Sequence, residues 1–272
     1  MDKLDIWKYE KNYKIIHKDD TTTVPSFVLL EICLEICYNK KDSEKSRKGV
    51  YFMTRRTVSI CYKILVILTL SIGILLNIIK TTSIPAMLSY YTMQSNIISL
   101  IGFCCFLYLE IKQEEKTDMY YLIKGAVVIA IFITAVVYGC ALAPTAFEMD
   151  SVQRSFSKKW IASLFVHLFS PTMVIGDYFF FDEKGKFKSY YPLFWLIIPL
   201  NYVCYVYMYH FMGGKFFGVG GSKHFAYFFL DYEKIGYIGV AKWLLLMSSV
   251  IVLVSYLLVF IDGKSGKNQN RR

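Results

Sequence analysis

Six stretches of mostly apolar residues set the frame for this 272-residue chain, at about 57–79, 88–111, 120–143, 160–181, 191–212 and 237–261. Each is as long as a helix needs to be to cross the roughly 30 Å hydrocarbon core of a bilayer. The apolar residues lie in runs rather than at the spacing of a soluble core. The expected fold is therefore all-α: a polytopic membrane protein with a bundle of about six transmembrane helices at 57–261. A polar, basic leader (1–56) and a basic tail (262–272) flank it.

The composition agrees, with 55% hydrophobic and 17% aromatic residues and only 19% charged. The net charge of +10 lies largely beside the apolar runs. That is the placement of charge that orients membrane segments, so it does not point to a nucleic-acid partner. Lys and Arg crowd 40–56, 112–119, 182–190 and 262–272, while the opposite ends of the spans carry fewer. Both termini are thus expected on the cytoplasmic side of the membrane, the plasma membrane in a bacterial cell. Residues 1–23 lack an apolar signal-peptide core, so the first span is expected to direct insertion. Within the leader, VPSFVLLEICLEIC (24–37) suits a short helix on the membrane surface, and NKKDSEKSRKG (39–49) reads as a flexible linker. The leader's charge also suits contact with anionic lipid. None of the seven cysteines forms a CxxC pair, and those in or beside the apolar runs are expected as buried free thiols.

Two polar stripes interrupt the apolar pattern. Thr92, Ser95, Asn96 and Ser99 follow i, i+3, i+4, i+7 spacing and share one face of the second span. Ser163, His167, Ser170 and Asp177 lie near one face of the fourth. Small polar residues at such spacing commonly let helices pack closely, but an intramembrane histidine is a functional candidate. If both spans start on the outer side, Thr92 lies ~6 Å deep and His167 ~10 Å deep, counted at 1.5 Å per residue. A hydroxyl and an imidazole at similar depth suit a nucleophile and its general base. Ser95 or Asn96 would then help hold an oxyanion, and Asp231 in the outer loop is a candidate to orient the histidine. His210, His224 and Asp231 share that side, but no pair has metal-ligand spacing, so no metal and no cofactor are expected. GGKFFGVGGSK (213–223) lacks P-loop spacing and reads as a re-entrant or lid loop.

Four segments, in order, carry a resemblance: YYTMQSNIISL in the second span, FVHLFSPTMVIGD in the fourth, PLNYVCYVY in the fifth and YFFLDYEKIGY before the sixth. Over 57–261 the chain resembles the androgen-induced and androgen-dependent family of six-helix membrane proteins. Its animal members hydrolyse fatty acid esters of hydroxy fatty acids with an intramembrane Thr and a His. The resemblance places those roles on Thr92 and His167 and implies a membrane lipid ester as substrate. Ala226 and Phe228 stand where relatives often have proline. Two rival classes suit the same stripes: a small-solute or proton transporter or channel, and a structural or regulatory protein in which the stripes only pack helices.

Overall fold

The structure is a computed structural model that describes residues 44–139, 158–218 and 221–269, with side chains described for 55–139, 161–216 and 224–267. The candidate surface helix at 24–37, and most of the basic leader, lie outside the described residues. The chain divides into two compact units, Met1–Thr54 and Arg55–Arg272, and the second holds the whole bundle.

Helix α1 runs Glu44–Lys80, α2 Ile84–Leu88, α3 Tyr91–Lys112 and α4 Asp118–Val137. Helix α5 (Lys158–Leu164) leads through a π-helical segment, Phe165–Phe169, into α6 (Ser170–Phe181). Then come α7 (Tyr191–Trp195), α8 (Ile197–Phe211), a hairpin of β1 (Phe216–Gly218) and β2 (Gly221–Lys223), a 3₁₀ turn Phe228–Leu230, and α9 (Tyr232–Gln269). Six segments are long and apolar enough to cross a membrane: Arg55–Lys80, Tyr91–Lys112, Asp118–Val137, Ile161–Phe181, Tyr191–Phe211 and Tyr232–Lys267. The protein is an all-α, multi-pass membrane protein.

Several boundaries depart from the expected ones. The second span begins at Tyr91, because Pro85 opens the separate helix α2 and Tyr90 is extended (ψ 141°). Thr92 therefore sits in the first turn of its helix. Residues 44–49 of the expected linker belong to α1. The expected lid loop contains an antiparallel hairpin pairing Phe216 with Lys223 and Gly218 with Gly221. The last helix starts at Tyr232 and bends at Gly236, whose φ of 69° glycine adopts without a Cβ penalty. Cys61, Cys104, Cys105 and Cys204 are exposed on the bundle surface rather than buried. On a lipid-facing helix an apolar thiol needs no protein cover.

Helix α4 is the axis of the bundle, the most enclosed span, packed on α3, α6, α7, α8 and α9. Trp195 lies against it with its indole N–H donating to the Leu122 carbonyl at 2.9 Å. The approach is possible because residue 125 is glycine: a Cβ there would stand 2.1 Å from the Trp195 ring. Tyr178, Phe187, Tyr191 and Trp195 form the aromatic centre of the core, with the Tyr178 and Phe187 rings stacked at 5.0 Å.

At the end of the bundle opposite Thr92, buried charges join four spans. Lys124, fully buried, pairs with Asp177 and, at 3.1 Å, with Asp182. Lys63, also fully buried, reaches Asp177 at 3.2 Å and Glu110 at 3.7 Å, and Lys116 links Glu110 and Asp182 at 3.5 and 3.3 Å. Three cations thus meet three carboxylates, the condition under which burial of charge is tolerated. Asp182 lies just beyond its span. Burial raises its pKa, but Lys124, Lys116, the Tyr120 hydroxyl (2.6 Å) and Lys63 outweigh this and hold it well below the usual carboxylate range. Asp262 ties the last helix to the same end, accepting from the Tyr178 hydroxyl at 2.7 Å and the Phe187 amide at 2.9 Å.

Candidate functional site

Thr92 Oγ1 and His167 Nε2 lie 3.3 Å apart. The opposite ring nitrogen, Nδ1, is 2.9 Å from the Ser163 carbonyl oxygen and 3.2 Å from Ser163 Oγ. A carbonyl can only accept, so Nδ1 carries the proton and Nε2 presents its lone pair to the Thr92 hydroxyl. The Tyr138 ring stacks on the imidazole at 4.0 Å, and its hydroxyl accepts from Ser163 Oγ at 3.3 Å. Tyr138 and Ser163 fix the ring plane and the tautomer together.

The π segment positions the histidine, and its cause is legible in the chain. Pro171 has no N–H to give the His167 carbonyl four residues back, and in a regular helix its ring would clash with that carbonyl. The helix widens instead, so that the Ser170 amide bonds the Phe165 carbonyl five residues back. Gly73 on α1 lets the first span close on this segment, where a Cβ would stand 3.1 Å from Val166 and 3.2 Å from Phe165.

Thr92 is held from the other side. The segment before it is anchored to α8: Tyr205 shares a 2.7 Å bond with Ser89 Oγ, and Tyr202 donates to the Ser89 carbonyl at 3.2 Å. Tyr91 donates to the Ala130 carbonyl of α4 at 3.2 Å. Ser95 donates to the Thr92 carbonyl (3.0 Å) and shares a 2.6 Å bond with Thr134, while the Asn96 amide donates to the carbonyls of Thr92 (2.7 Å) and Val166 (3.2 Å). The predicted stripe thus wedges between the third and fourth spans. The donors of Ser95 and Asn96 are committed to backbone and to α4, so these two residues brace Thr92 and do not offer free donors for an oxyanion. Ser170 is fully buried and its hydroxyl has no partner among the described residues.

Asp231 does not orient the histidine, because Nδ1 is taken by Ser163. It lies beside Lys234 at 3.5 Å, and its carbonyl accepts the Lys234 and Ile235 amides that start the last helix. The residue missing from the sequence-based site is Tyr227. The backbone amide of Thr92, in the first turn of α3 where amides lack helical partners, donates to the Tyr227 hydroxyl oxygen. Burial pushes the Tyr227 phenol up to about 12, against hydrogen bonds from Thr92 and Tyr202, so it is protonated at neutral pH. Its place at the head of YFFLDYEKIGY was the available signal, but only folding brings the loop onto Thr92.

Tyr227 also lines an apolar cleft between the third, fifth and sixth spans, with Tyr91, Ile133, Leu200, Val203 and Met247 among its walls. The site therefore joins a polar pair to an apolar slot. Outside it, His210, His224 and Glu233 converge, whereas sequence spacing groups the two histidines with Asp231 and leads to the expectation of no metal. Comparison of the chain with protein-family models, curated proteins and solved structures returned no match.

Proposed function

We propose that the protein is a lipid-ester hydrolase in which Thr92 is the nucleophile and His167 the general base. The observation that carries this reading is the 3.3 Å contact of Thr92 Oγ1 with an imidazole whose other nitrogen is bound to a backbone carbonyl. A purely packing histidine needs neither this order of contacts nor a nitrogen lone pair aimed at a hydroxyl. In the proposed reaction Thr92 Oγ1 forms a bond to the ester carbonyl carbon while Nε2 takes its proton. The tetrahedral intermediate then expels the alcohol, which receives that proton from Nε2, leaving an acyl-threonine. A water deprotonated by Nε2 attacks the acyl carbon, the Thr92 oxygen leaves and takes the proton back, and a fatty acid departs.

In the proposed reaction Tyr227, which accepts from the Thr92 amide and keeps its own phenolic proton, turns that proton to the oxyanion, and the apolar cleft beside it suits an acyl chain. A substrate embedded in the bilayer can enter such a slot sideways from the lipid. The distribution of Lys and Arg supports a site in the outer leaflet with both termini cytoplasmic. The test is hydrolysis of labelled fatty acid esters by the full chain in proteoliposomes. Thr92→Ala and His167→Ala are each expected to abolish turnover. Full turnover by either variant, or stripe-dependent solute flux without hydrolysis, rejects the reading.

A further inference from the structure

At the end of the bundle that carries Thr92, three consecutive segments bring metal-binding donors together. His210 closes α8, His224 follows β2, and Glu233 lies in the first turn of α9. One ligand atom from each lies within 4.8 Å of the others, and His224 Nδ1 stands 3.4 Å from Glu233 Oε2. We propose that His210, His224 and Glu233 bind one divalent zinc-like ion, independently of the hydrolase reading.

The donor chemistry selects the ion. Two imidazoles and one carboxylate suit zinc and its borderline neighbours, whereas calcium and magnesium require mostly oxygen donors. Zinc holds such ligands about 2.0–2.2 Å away in a tetrahedron, which places them about 3.3 Å from one another. The His224–Glu233 pair already has that spacing. Closing the two edges to His210 asks for a side-chain adjustment at His210, which is half-buried against Phe225, its ring 4.5 Å away. His224 and Glu233 are about half exposed, so an ion can enter and a water can take the fourth position. The Tyr232 hydroxyl, 3.3 Å from His210 Nε2, is placed to bond the bound ion's water or an imidazole nitrogen.

A metal here ties the connector between the fifth and sixth spans to both of its helices. That connector carries Phe225, Leu230 and Tyr227, the first two buried in the core at this end. The ion would therefore order the segment that delivers Tyr227 to Thr92.

The test uses the full chain in detergent, freed of metal by a chelator and carrying no polyhistidine tag. Titration with zinc chloride by calorimetry is expected to give one ion per chain. His224→Ala and Glu233→Gln are each expected to weaken binding at least about tenfold. Both positions are half exposed, and their chelated forms are expected to melt with the chelated wild type, which separates lost ligation from lost folding. Cobalt(II) is expected to give tetrahedral visible bands in wild type that are absent from His210→Ala. No zinc binding by wild type, or equal binding by the His210→Ala/His224→Ala/Glu233→Gln variant, overturns the proposal.

Discussion

Replacing Lys124 with methionine removes one cation from the buried charge cluster and leaves a side chain of similar length. In the folded protein Lys124 Nζ contacts both Asp177 and Asp182, all three nearly or fully excluded from solvent. Removing one partner of a buried pair costs about 3–5 kcal/mol, because the remaining charge stays desolvated. Asp177 keeps Lys63 at 3.2 Å, and Asp182 keeps Lys116 at 3.3 Å and the Tyr120 hydroxyl. The remaining partners place the cost within that range rather than above it. For a domain of this size the loss corresponds to a fall in melting temperature of roughly 6–20 °C. The assay is thermal unfolding in one detergent, followed by intrinsic fluorescence. Two comparisons make it specific. Lys116→Met removes a partly exposed cation and is expected to cost no more than about 1 kcal/mol. Lys124→Met/Asp182→Asn restores charge balance and is expected to recover about half the loss or more. If Lys124→Met melts within about 2 °C of wild type, or if the double variant is worse than the single one, the cluster does not hold the spans as argued.

Two further outcomes follow from the same fold. Gly125→Ala forces a methyl group into the Trp195 ring and is expected to destabilise by about 1–3 kcal/mol, read as a lower melting temperature. Asp182 has a folded pKa below its unfolded value, so its contribution to stability is present above about pH 4 and is lost as pH falls through the folded pKa. A melting-temperature series is expected to be flat from pH 7 to about 5 and to drop in more acid solution, with a shallower drop in Asp182→Asn.

The six spans were legible because lipid demands long apolar helices, and that demand is written residue by residue along the chain. The stripe Thr92–Ser95–Asn96–Ser99 was legible for a related reason, since helical period assigns a face. Which neighbour each residue meets was not. Ser95 turns to Thr134 of the third span, while Thr92 and Asn96 meet the fourth, and period alone does not distinguish these. The π segment had a visible cause in Pro171, yet a regular helix was the simpler expectation for an apolar run. Lys63 and Lys124 were visible as charges inside apolar runs, but their compensation by Asp177, Asp182 and Glu110 depends on four helices meeting. Tyr227 and the His210–His224–Glu233 cluster depend on how the connector after the fifth span folds back, and neither hydropathy nor spacing encodes that path.

The central claim is that Thr92, activated by His167, attacks an acyl-type electrophile. Its most direct measurement is covalent labelling of the purified chain with a lipid-like fluorophosphonate, with the adduct mapped by peptide mass spectrometry. The adduct is expected on Thr92, absent from Thr92→Ala, and formed at least about a hundredfold more slowly in His167→Ala, the scale of general-base assistance. Labelling that persists in Thr92→Ala, or a chain that remains unlabelled while folded, contradicts the claim.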